Sequence, residues 1–100
     1  MYVLSIGLND KVTLKQAIAT NNAVEIVKVA AMRHCGGYSL AMQEGGYTMD
    51  DGSEVHELSI RLEVFTDDEI RVKALVHLLK AALNQESIAV TRVYDKAMFW

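Results

Sequence analysis

The feature that most restricts how this chain can fold is the run from Val55 to Phe65. His56, Leu58, Ile60, Leu62 and Val64 alternate there with Glu57, Ser59, Arg61 and Glu63. A period of two over that length is a strand with one buried face, because successive side chains of extended backbone point to opposite sides. Glu57 and Ser59 therefore project together from the more polar side. The strand is fed by a glycine-rich, acidic stretch, GGYTMDDGSEVHELS, from Gly45 through Ser59. Gly45, Gly46 and Gly52 let the backbone turn tightly or approach a ligand closely, and no proline stiffens it. Tyr47 is its only aromatic residue, which makes Tyr47, Glu57 and Ser59 the centre of the functional question.

A chain of 100 residues fits a single domain, residues 1–100, with a core of modest size that would gain from partners. Its hydrophobic fraction of 51% is high for that size, so some apolar surface is expected between subunits. One cysteine, Cys35, cannot form an internal disulfide and suits a reducing compartment, the cytoplasm. The first residues, MYVLSIGLND, lack the basic segment and cleavage site of a signal peptide, and no apolar run approaches membrane-spanning length. A net charge of −3 without a Lys/Arg cluster argues against nucleic-acid binding, which depends on neutralising phosphates. The favoured partners are a small molecule and further copies of the chain.

In chain order, Tyr2, Leu4, Ile6 and Leu8 alternate with Val3, Ser5 and Gly7 as a first strand. Asn9, Asp10 and Lys11 break the pattern. Thr13 with Gln16, and then Asn22 with Glu25, have capping-box spacing, so the segment to His34 reads either as one long helix or as two helices with a break at Thr20 to Asn22. Gly36 and Gly37 stop it. Tyr38 to Glu44 reads as the second strand and leads through a loop from Gly45 to Glu54 into the third. Thr66 and Glu69 then form a capping box, and Val72, Leu75, Val76, Leu79, Ala82 and Leu83 recur at helical spacing. Asn84 and Gln85 end this helix, and Ser87 to Tyr94 is the last strand.

The order β-α-β-β-α-β is that of the α+β ferredoxin-like fold, an antiparallel sheet with both helices on one face. The other face then carries Ser5, Gly7, Ser39, Ala41, Gln43, Glu57, Ser59, Arg61, Glu63, Ala89 and Thr91. Small side chains there let another surface approach, so this face is expected to pack against copies of itself in a closed assembly such as a trimer. Phe99 and Trp100 are expected to dock on a neighbouring helix or subunit.

The fold hosts many functions, so particular residues must discriminate among them. No aromatic residue on the open face is placed to stack bases as RNA-binding domains do. His34 and Cys35 are adjacent and diverge on a helix, His56 points to the core side and His77 lies on the second helix, so no metal site is expected. The chain has no nucleophile elbow, P-loop or dinucleotide fingerprint.

Three short motifs stand in order: Gly45-Gly46-Tyr47, then Glu57-Leu58-Ser59 opening the third strand, then Asn84-Gln85-Glu86-Ser87 before the fourth. From Gly36 to Trp100 this pattern resembles the small bacteriophage S-adenosylmethionine lyases, whose fold is similar to the trimeric PII signalling proteins and whose ligand lies between subunits. The resemblance implies conversion of S-adenosylmethionine to methylthioadenosine and homoserine lactone, without cofactor or metal, in a homotrimer. It implies Glu57 and Tyr47 as catalytic residues and Ser59, Gln85, Glu86 and Ser87 as substrate-binding residues. It also implies a role in the host cytoplasm, depleting the methyl donor of restriction and methylation systems. The segment between Tyr47 and Glu57, with Asp50, Asp51 and Glu54, departs from the pattern, so the functional carboxylate is Glu57 or Glu54. The alternative is a non-enzymatic PII-like trimer that binds a nucleotide or other small molecule between subunits and signals through the Gly45–Glu54 loop. A structural reading stands beside both: Glu57 and Ser59 as solvated strand residues, Tyr47 as a loop anchor, and Gln85 to Ser87 as a helix end and turn.

Overall fold

Six elements appear in the computed structural model, which describes residues 1–100. They are β1 (Tyr2–Gly7), α1 (Thr20–Cys35), β2 (Ser39–Thr48), β3 (Glu54–Val64), α2 (Glu69–Ala82) and β4 (Ala89–Arg92). The strands form one sheet in the order β2-β3-β1-β4, with every neighbouring pair antiparallel. This is the ferredoxin-like βαββαβ arrangement.

Alternation in the strands decides which face is covered. Tyr2, Leu4 and Ile6 of β1 lie beside Ile60, Leu62 and Val64 of β3, and all six are buried. They join Ala23, Val27, Ala30 and Ala31 of α1 and Val72, Leu75 and Leu79 of α2 in one apolar cluster. Both helices therefore lie on that side of the sheet. On the other side the register lines up Ser39, Glu63 and Val3, then Ala41, Arg61 and Ser5, then Gln43, Ser59 and Gly7. Ala89 continues the row of Ser5, and Thr91 that of Val3. The small-residue face read from the sequence is thus present and uncovered in a single chain.

Local chemistry moves several boundaries. The first helical region is one helix that begins at Thr20, and neither capping box read from the sequence starts it. The Asp10 carboxylate accepts the backbone N–H groups of Val12 and Thr13, and the Asp10 N–H is bonded to the Lys15 carbonyl. Leu14 takes φ +58 within this loop, which a right-handed helix cannot contain. The Gln16 amide donates to the Ile18 carbonyl and to the Thr20 hydroxyl, so it acts across the helix start and not at Thr13. Asp68, not Thr66, caps α2: its carboxylate accepts from the backbone N–H groups of Ile70 and Arg71. The Thr66 hydroxyl accepts from the Asp68 N–H one step earlier. Gly36 ends α1 at φ +75, the left-handed geometry that favours glycine.

The stretch from Gly45 to Glu54 is not a long loop. Gly45 to Thr48 belong to β2, with Gly45 opposite Glu57 and Tyr47 opposite Val55. Only the turn at Met49 to Ser53 connects the strands, closed by the Met49 N–H bonding the Ser53 carbonyl, with Gly52 at φ +87. This half of the hairpin runs past the helices, which explains a second correction: His56 shares a face with Ile60 yet is exposed, beside Glu54 at 3.5 Å. The last strand is shorter than Ser87–Tyr94. Phe99 meets the Phe65 ring edge to face at 5.9 Å, and Trp100 is fully exposed.

Candidate functional site

The end of the sheet where β1 finishes, β3 begins and β4 is about to start gathers the residues with chemistry. Glu57 and Tyr47 stand on the open face of adjacent antiparallel strands, because Gly45 is the partner of Glu57 and Tyr47 lies two residues further along β2. Ser59 lies opposite Gly7 on β1. No side chain at Gly7 obstructs Glu57, and the carboxylate leans across that gap. A Cβ at position 7 would sit 2.6 to 2.7 Å from the Glu57 carboxylate atoms.

One oxygen of Glu57 then accepts the Asn9 backbone N–H at 2.9 Å, which fixes the carboxylate. Asn9 is itself held from two sides. Its side-chain amide donates to the His56 carbonyl at 3.3 Å, and its own carbonyl accepts from the Gln85 amide at 2.6 Å. The same Gln85 nitrogen donates to the Leu83 carbonyl at 3.3 Å, and Gln85 is the one buried amide side chain. Its N–H groups thus serve the framework.

The turn after α2 completes the clamp. Asn84, at φ +48, donates its side-chain amide to Asp10 at 2.6 Å and accepts the Lys11 N–H through its carbonyl at 3.2 Å. The Asn84 amide, followed by the backbone N–H groups of Val12 and Thr13, holds the Asp10 carboxyl below the usual range.

These elements enclose a cavity of about 430 Å³ on the open face. Its walls include all six residues read as functional from the sequence: Tyr47, Glu57, Ser59, Gln85, Glu86 and Ser87. Glu54 is not among them; it stands exposed at the hairpin end, paired with His56. Sequence reasoning missed Gly7, Asn9, Asp10, Lys11 and Leu14, which also line the cavity. The alternation of β1 set against that of β3 could have placed Gly7 beside Ser59, but nothing local marks Asn9 to Leu14 as more than a break. Lys11 is the only basic residue of the lining, against Asp10, Glu57 and Glu86. Such a site can take a ligand that carries positive charge and a single negative group.

A larger cavity, about 550 Å³, lies on the helix side between α2 and β4 and includes none of the six residues. Volume alone does not identify the site here, because the convergent polar groups are in the smaller one.

No protein-family model matches the chain, and no curated protein matches it. Among solved structures, the chain is similar to a phage SAM lyase in complex with S-methyl-5′-thioadenosine, at a TM-score of 0.64 and 26% identity over 89% of this chain and 75% of that one. It is also similar to a phage SAM lyase in the apo state, with a TM-score of 0.68 and 23% identity over 99% and 90% of the two chains. CutA1 from Pyrococcus horikoshii OT3, as a point variant, shares the fold at a TM-score of 0.53 and 16% identity over 97% and 87%. The resemblance to phage SAM lyases carried by the three motifs is therefore matched over most of the chain in three dimensions.

Proposed function

We propose that this chain, similar to phage S-adenosylmethionine lyases, is itself a lyase that splits S-adenosylmethionine into methylthioadenosine and homoserine lactone. The observation that carries the reading is the gathering of the six motif residues on one cavity wall, with the Glu57 carboxylate fixed by the Asn9 N–H.

The reaction asks little of acid–base chemistry. A carboxylate oxygen of the substrate attacks its own γ-carbon, the C–S bond breaks, and the bonding pair stays on sulfur, which leaves as a neutral thioether. A carboxylate and a sulfonium disappear together and no proton moves. Charge is dispersed on the way to the transition state, so excluding water and folding the methionyl chain into attack geometry lower the barrier. Effective molarities for well-oriented intramolecular attack can supply about 7 to 11 kcal/mol.

The roles follow from charge and position. Glu57 holds the cationic part of the substrate, and Tyr47 offers a ring and a hydroxyl to fix it. Ser59, Glu86 and Ser87 supply hydrogen bonds, while Gln85 keeps Asn9, and through it Glu57, in place. Lys11 faces the substrate carboxylate as the one basic group of the lining. In this reading a neighbouring copy across the small-residue face covers Tyr47, which is 48% exposed in one chain, most simply in a homotrimer. A cytoplasmic role in lowering the methyl donor follows from the same reading.

Incubation of the purified protein with S-adenosylmethionine, with methylthioadenosine and homoserine lactone measured by mass spectrometry, tests the proposal. Both products should accumulate in equal amounts, and Glu57→Gln should lower the rate by about 100-fold or more with the assembly intact, the scale seen on removing one preorganised electrostatic partner. Methylthioadenosine no faster than in a protein-free blank overturns it.

A further inference from the structure

On the helix side of the sheet, the groove of about 550 Å³ between α2 and the free edge strand β4 has a composition unlike the rest of the molecule. The protein is acidic, at a net charge of −3, yet Lys73, Lys80 and Arg92 line this groove against a single carboxylate, Glu69. Glu69 lies 3.9 Å from Lys73 on the same helix, while Lys80 and Arg92 make no ion pair.

Arg92 is exposed and lies beside two tyrosine rings. Its guanidinium carbon lies 5.5 Å from the Tyr2 ring centroid and 5.0 Å from that of Tyr94, within cation–π range of both. A guanidinium can meet the oxygens of a phosphate in bidentate fashion. Tyr2 is the more buried of the two rings. It is 4% exposed, forms part of the groove wall, and its hydroxyl is buried with no hydrogen-bond partner. That oxygen has no accessible surface, so the groove meets the Tyr2 ring and not its hydroxyl. The remaining wall is apolar, from Val72, Val76 and Val90.

We propose that this groove binds an organic phosphate: a phosphate monoester held by Arg92 and Lys80, with an apolar or planar body against the valines and the Tyr94 ring. A phosphate monoester carries about −1.5 to −2 at neutral pH and so matches the unpaired positive charge better than a carboxylate does. The volume is within the range of about 300 to 1,000 Å³ usual for small-molecule sites. Tyr2 faces the helices, whereas Ser5 and Gly7 face the other side, so a ligand here and a substrate beside Glu57 occupy opposite faces of the same sheet.

Phenyl phosphate titrated into the whole protein, followed by NMR on the His77 and Tyr94 rings, tests the assignment. Saturable binding at one site per chain is expected, much tighter than for inorganic phosphate or for phenol. Arg92→Gln should weaken it by at least about tenfold, the loss of a charge-assisted bidentate contact, and Glu57→Gln should leave it unchanged. The proposal is overturned by inorganic phosphate binding as tightly as phenyl phosphate, which is an adventitious ion only, or by Arg92→Gln binding as well as the parent. Shifts confined to the Glu57 cavity also overturn it, as do His77 signals that change with protein concentration alone, which mean that a second copy covers the groove.

Discussion

At the scale of the residue, the candidate site depends on an absent atom. Gly7 has no Cβ, and the Glu57 carboxylate occupies the volume that one would fill. The clash in Gly7→Ala would fall on the far end of a flexible side chain, so the fold should survive while Glu57 swings away from the Asn9 N–H. Melting temperature should change little, and kcat/KM on S-adenosylmethionine should fall by about tenfold or more, as small misplacements of a catalytic group do. A large loss of melting temperature instead would show that Gly7 serves the sheet and not the carboxylate. Lys11 gives a second prediction. Lys11→Met should raise the Kd for S-adenosylmethionine by about tenfold, equivalent to about 1.4 kcal/mol, and leave binding of methylthioadenosine unchanged, since that product has no carboxylate. Equal weakening of both ligands, measured by calorimetry, would remove Lys11 from this role.

At the scale of the element, the connection between β1 and α1 is held by the turn after α2. Asn84 reaches Asp10, Gln85 reaches Asn9, and the Lys11 N–H returns to the Asn84 carbonyl. The Asn84 contact is the largest cause lowering the Asp10 pKa. A carboxyl whose pKa is depressed on folding adds stability above its unfolded value, about 3.9, and that stability is lost as the pH falls through the folded value. Asn84→Gly keeps the positive φ comfortable and removes the amide. Thermal unfolding measured from pH 6 down to pH 2 should show a shallower acid loss for the variant than for the parent. Parallel curves would mean that the Asp10–Asn84 contact contributes nothing on folding.

The elements also show what a sequence can express. Alternation in β1 and β3 gave both faces of the central strands, and the helical repeat of Val72, Leu75 and Leu79 gave the inward face of α2. The same period-two logic, applied to Gly45 through Thr48, could have extended β2. Two glycines among polar residues hid it, because glycine in a strand looks like a turn until its partner is known. Asn22 lies inside a helix that already begins at Thr20, and the capping box at Thr13 failed for a similar reason. Asp10 captures the backbone N–H groups of Val12 and Thr13, and that competition is invisible in a spacing rule.

At the scale of the whole molecule, one sheet face is covered by two helices and the other by nothing in the single chain. The bare face carries Ser5, Gly7, Ser39, Ala41 and Ala89 with Arg61 and Glu63 near its middle, a surface small enough for close approach and charged enough to set a register. Under the lyase reading the solution mass should be three times that of the chain, independent of concentration across the working range. Light scattering that gives a monomer, with turnover intact, would separate the chemistry from the assembly.

The sequence by itself determined the order of strands and helices, the buried face of β1 and β3, and that Glu57 and Ser59 share the polar side of one strand, since these follow from the alternation of extended backbone and the helical repeat. Only the tertiary structure decided that the Glu57 carboxylate lies over Gly7, that Asn9 holds it, and that Gln85 and Asn84 hold the Asn9–Lys11 segment. Those contacts join residues 48 to 76 positions apart, and local periodicity carries no information about which distant backbone N–H a side chain will meet.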